Sequence, residues 1–157
     1  VTAATSSQIS DGAASVLIGT RERGEQLGLE PRAKFVSMSV AGVDPTIMLT
    51  GPIPATQKAL DKAGLDFSEI SLFEVNEAFA PVVLAWATEM PEDRDEILEK
   101  TNVNGGAMAL GHPLGCSGAR LLVTLLHEME RRDVRYGLAT LCIGFGQAVA
   151  TIIDRDV

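Results

Sequence analysis

Three short blocks of this sequence hold the residue types that acid/base and oxyanion chemistry needs. Asn76-Glu77-Ala78-Phe79 follows a short apolar run that ends at Val75. Asn76 could orient a ligand or simply cap the helix that follows, and Glu77 suits the positive end of that helix. Asn104–Gly118 places five glycines and Pro113 around His112. Pro113 restrains His112 to an extended backbone, and glycines let another chain segment or a ligand come close. A histidine held this way is a candidate proton carrier, although the block could also be only a tight connection into the next helix. Cys142-Ile143-Gly144-Phe145-Gly146 puts a thiol beside glycines whose N–H groups could face an oxyanion. A thiol at the end of an apolar strand is otherwise an inert core group. Cys116 reads as packing and His127 as a solvated side chain.

Such groups need strands and helices to position them. Small and β-branched residues over Gly12–Ile18 predict a buried strand, and Thr20–Leu27 a surface helix ending at Gly28. Arg32–Val40 alternates as a strand. Gly42–Pro54 is a loop rich in Gly and Pro, whose Ile47, Met48 and Leu49 either line a pocket or fill a core gap. Ala55–Ala63 predicts a helix stopped by Gly64, Ser71–Val75 a strand, and Glu77–Glu89 an Ala-rich buried helix. Pro91–Lys100 reads as a surface excursion and Asn102–Gly111 as a loop. Gly115–Arg132 is the clearest helix, with Leu121, Leu122, Leu125, Leu126 and Met129 on one face. Tyr136–Ile143 and Gln147–Ile153 read as a hairpin turning through Gly144–Gly146. Alternating strands and helices predict one α/β layered domain over residues 1–157, with a mixed sheet of about five strands and helices on both faces.

Composition narrows the function classes. A net charge of −8 and the lack of a basic stripe argue against nucleic acid as a partner. No apolar run approaches the ~20 residues of a membrane span. The Cys and His residues are too few and too scattered for a zinc site, so no metal is expected. Gly105-Gly106 lacks the spacing and the lysine of nucleotide-binding loops. Two cysteines make no disulfide framework, which fits a reducing, cytoplasmic setting. The start at Val1 rather than Met reads as a piece of a longer polypeptide.

Together, the Asn-Glu-Ala-Phe block, the Gly-His-Pro loop, the Cys142–Gly146 block and the segment from Gly42-Val43-Asp44-Pro45 to Gly51-Pro52-Ile53-Pro54 resemble the thiolase family, in the same order and over nearly the whole chain. The resemblance implies the C-terminal half of a two-half, five-layered fold. The half bearing the acylated cysteine would lie outside these residues. By the same resemblance, His112 takes the proton of that cysteine and helps bind the thioester oxygen, and Asn76 orients a water in the same oxyanion hole. Cys142 is the second acid/base, and Gly144 supplies a backbone N–H to the other oxyanion hole. Ser7 contacts the pantetheine arm, and Met48 and Phe79 line the acyl pocket.

The implied substrates are coenzyme A thioesters, with no further cofactor. The implied partners are the other half and further copies of the chain, as a dimer or tetramer. The segment Ala4–Ser10 departs from the family pattern around Ser7, and Phe145 stands where many members have glycine, which implies a reshaped pocket. Two other readings compete with the acyltransferase. One is a cysteine hydrolase using Cys142 and His112, and the other is an acyl-CoA binding module without catalysis.

Overall fold

The computed structural model describes residues 1–157. Ten helices and strands follow a short 3-10 turn at Ala3–Thr5: α1 (Arg21–Gln26), β1 (Lys34–Gly42), α2 (Pro52–Ala63), β2 (Leu72–Val75), α3 (Ala80–Glu89), α4 (Arg94–Glu99), α5 (Ala107–Leu110), α6 (Ser117–Arg132), β3 (Tyr136–Ile143) and β4 (Gln147–Asp154). The four strands form one mixed sheet in the order β1-β4-β3-β2. β2 runs parallel to β3, and the other two pairings are antiparallel. The α/β layered architecture with helices on both faces is the one the sequence predicts.

Alternation along the strands sends side chains to two cores. Phe73, Val75, Leu138, Ala148, Ala150 and Ile152 face α2 and α3, where Ala55, Ala59, Leu60 and Trp86 meet them. Phe73 sits between Phe67, stacked at 4.9 Å, and Trp86, edge-on at 5.2 Å. Buried Trp86 satisfies its indole N–H on Thr56 Oγ1 at 2.9 Å, as a buried donor must. On the opposite face, Leu121, Leu125 and Met129 of α6 pack against Leu72, Ala139 and Ile153. These are the i, i+4, i+8 positions of one helical stripe.

Four expectations are corrected. Gly12–Ile18 forms no strand; residues 7–20 run without regular structure, and Leu17 is 84% exposed. A strand needs a neighbour's backbone to bond with, and no strand of this sheet pairs with that segment, so the count is four rather than five. α2 begins at Pro52, because proline is preorganised for the first helical turn. α3 begins at Ala80, not Glu77. The Asn76 N–H donates to Thr140 O and continues the β2–β3 ladder, so residues 77–79 form a turn before Phe79 caps the helix. Pro91–Lys100 is more than a surface excursion: Asp93 caps α4 by accepting from the N–H groups of Asp95 and Glu96, and Ile97 is fully buried.

Candidate active site

Parallel pairing brings the C-terminal ends of β2 and β3 to one edge of the sheet, and the site is built there. Asn76 is the first residue beyond β2, one register step past the Val75–Thr140 pair. Cys142 lies two residues further along β3. The β2 end is held from outside the sheet by Asn102. Its side chain accepts from Val75 N–H at 2.8 Å and donates to Val75 O at 2.8 Å and to Glu77 Oε1 at 3.0 Å. Glu77 in turn accepts from Met108 N–H at 3.0 Å. Glu77 thus ties the turn after β2 to the loop that carries His112. Gly106 leaves room for this tie, since a Cβ there would displace the Glu77 carboxylate.

The His112 backbone is held from a third direction. Its N–H donates to Gln8 O at 2.7 Å, while Ser7 N–H donates to Ala78 O at 3.0 Å. Ser6 also bridges Phe79 in antiparallel fashion. The N-terminal segment therefore lies between the Asn76–Phe79 turn and the histidine loop, and brings Ser7 and Phe79 beside the site. Asn76 Nδ2 lies 3.3 Å from His112 Nε2. Asn76 is 1% exposed, and its Oδ1 has no partner. Buried polar atoms normally have one, so this carbonyl is an acceptor offered to a donor in the site. On the other edge of the ring, His112 Nδ1 lies 2.6 Å from Ser117 Oγ. Both ring nitrogens are thus engaged without Cys142, and no hydrogen bond joins Cys142 to His112, as a cysteine–histidine dyad would need.

Electrostatics sort the two titratable groups. Burial, and then the charge of Arg120, hold the His112 imidazole below its usual range and so favour the neutral ring. Burial pushes the Cys142 thiol up, which favours the protonated form. Near neutral pH both shifts favour the uncharged forms, a neutral imidazole and a protonated thiol.

Gly144 opens the β3–β4 turn, where open space lies beside its Cα. Phe145 is 85% exposed with φ +64°, a left-handed conformation that glycine reaches without strain. Loop residues 43–50 lean on this turn: Val43 N–H donates to Gly146 O at 2.8 Å. Met48, itself at φ +24°, is carried by that loop. Cys116 is buried and caps α6 as a packing residue, and His127 sits on the surface beside Arg32 and Glu130.

Residues 29–155 match the family model described as thiolase, C-terminal domain. This chain belongs to the thiolase family. It is 56% identical over 155 residues to the 3-ketoacyl-CoA thiolase FadA of Escherichia coli K12, covering 99% of this chain and 40% of that protein. It is 55% identical to the 3-ketoacyl-CoA thiolase of Klebsiella pneumoniae over the same length. The crystal structure of a Bacillus anthracis acetyl-CoA acetyltransferase superposes with a TM-score of 0.92 at 46% identity, over 98% of this chain and 38% of that one. Human mitochondrial 3-ketoacyl-CoA thiolase gives 0.89 at 43%, over 100% and 39%. The chain thus spans about two fifths of the length of these thiolases.

Sequence reasoning missed Ser117, Asn102 and the tie made by Glu77. Ser117 stands five residues after His112 at the start of a strongly periodic helix. That spacing was a usable signal, since one turn beyond Pro113 returns the chain beneath the ring.

Proposed function

We propose that these residues supply the acid/base and oxyanion-binding half of a thiolase active site, exchanging acyl groups between coenzyme A and a cysteine carried outside residues 1–157. The observation that carries this reading is the contact of buried Asn76 with half-buried His112, the Asn76 Oδ1 unpartnered, beside the Cys142 strand end. His112 Nε2 takes the proton of the nucleophilic thiol, and the thiolate attacks the thioester carbonyl carbon. The oxygen that gains charge is met by the protonated His112 and by a water held on Asn76 Oδ1. The departing coenzyme A sulfur takes its proton from Cys142. In condensation, the Cys142 thiolate removes an α-proton from a second acyl-CoA, and the carbanion attacks the acylated cysteine and expels its thiolate. Gly144 N–H forms the other oxyanion hole together with an N–H from outside residues 1–157, while Ser7, Met48 and Phe79 contact the pantetheine and acyl parts. Coenzyme A thioesters are substrates here, and no resident cofactor is required. The protein works in the cytoplasm as a homo-oligomer, a dimer or a tetramer.

The test uses the protein with its nucleophile-bearing half and radiolabelled acetyl-CoA. His112→Ala abolishes acylation. Cys142→Ala still becomes labelled, though more slowly, while condensation falls by about 10²–10⁴-fold, the usual cost of removing a general acid/base. Labelling of Cys142 itself would favour the hydrolase. Wild-type condensation by both variants would end the thiolase reading.

A further inference from the structure

We propose that Ser117 is a positioning residue that fixes the tautomer of His112 and leaves Nε2 free of its proton. This rests on the reading of His112 as the base. A neutral imidazole carries one proton, so it acts as a base at Nε2 only if that proton sits on Nδ1. Ser117 Oγ is 2.6 Å from Nδ1 and also 3.2 Å from Pro113 O, a carbonyl that only accepts. A hydroxyl has one hydrogen. Donated to Pro113 O, it commits the oxygen to accepting from Nδ1–H. The opposite edge of the ring agrees: the Asn76 amide presents its Nδ2 donor to Nε2 at 3.3 Å, which requires a lone pair there.

The fold delivers this hydroxyl deliberately to one place. Pro113 O accepts from Cys116 N–H at 2.8 Å and Ser117 N–H at 2.9 Å, and this turn swings the first residue of α6 back under the ring. Ser117 is 0% exposed, so no solvent competes for Nδ1 from its side. The neighbouring backbone is clamped by Gln8 O on His112 N–H and by Arg120 Nη1 on Gly111 O at 3.3 Å. These bonds fix where the ring is attached but not how it is turned or which nitrogen is protonated. That choice falls to Ser117.

The experiment uses the protein with its nucleophile-bearing half, carrying Ser117→Ala, Ser117→Thr or Ser117→Cys. Ring 15N NMR of His112 reads the tautomer, and acetyl-CoA labelling against pH reads the base. The wild type shows Nδ1 protonated. Ser117→Ala mixes the tautomers and slows labelling about 10–100-fold, the scale of losing a histidine's orienting partner. Its acid limb moves to lower pH, because the imidazolium loses an acceptor. Ser117→Thr restores all three readouts. Ser117→Cys, with a weaker acceptor at similar volume, gives the Ala pattern and serves where Ala does not fold. A wild-type ring protonated on Nε2, or an Ala variant with unchanged tautomer and rate, overturns the inference. A tautomer change in a protein that is never acylated upholds it and removes the thiolase reading instead.

Discussion

Glu74 shows how a single buried carboxyl can weigh on this protein. It stands on β2 facing α6, 3% exposed, and burial raises its pKa from 4.5 to about 8 despite the nearby Arg120. Glu77 and Glu128 add to the rise. Folding therefore takes up a proton between about pH 4.5 and 8. The stability tied to that proton is complete below 4.5 and lost as pH climbs through 8. Glu74→Gln removes the dependence. Denaturation midpoints of variant and wild type should agree near pH 4.5 and separate with rising pH, the variant gaining on the order of 3 kcal/mol by pH 8. A constant difference across that range would mean that Glu74 is charged in the fold. Glu128 makes the contrast. Also buried, it is held down to about 2, chiefly by Arg131 and then by Asn104, with Arg132 adding to them. Burial decides the sign for Glu74, and hydrogen-bonding partners decide it for Glu128.

The elements reach the site through one tie, and that tie is testable. Glu77 joins the turn after β2 to Asn102 and to the first turn of α5, and Gly106 leaves it room. Gly106→Ala should cost about 1–3 kcal/mol by displacing the carboxylate from Met108 N–H. In Gly106→Ala/Glu77→Ala much of that cost should vanish, since the clash has lost its partner. Additive losses in a double-mutant cycle would show the two to be independent. The sequence made the elements with a strong period legible: α6, the β3–β4 hairpin, and α2 with its Gly64 stop. His112, Asn76 and Cys142 were legible as chemistry because Pro113, a strand end and a glycine turn frame them. The tie was not. Glu77 looks like a first-turn helix residue until the N–H of Asn76 is seen to belong to the sheet. Gly12–Ile18 misled for a related reason, because a side-chain pattern does not say whether a backbone partner exists.

At the scale of the whole chain, several exposed apolar residues are gathered in one region. The Val16–Ile18 segment, Leu27 and Leu29 line a groove of about 550 Å³ with Leu122, Val123, Leu126 and Phe35. Leu17, Ile18, Leu27 and Leu29 are all exposed. α3, which the sequence marks as a buried helix, packs Val82, Val83 and Trp86 within this chain. The groove, not α3, is therefore the apolar surface that the described residues leave open. Apolar patches of this extent promote association in water. The chain alone should bind a hydrophobic dye and sediment as concentration-dependent oligomers. It should not thiolyse acetoacetyl-CoA, because it would lack the acylated cysteine. Leu17→Ser/Ile18→Ser should reduce dye binding and association without changing the denaturation midpoint by more than about 0.5 kcal/mol, the ordinary range for exposed sites. A clean monomer that binds no dye would mean the groove closes in solution. If the double variant unfolds, these side chains are core residues after all, and the groove is not an open surface.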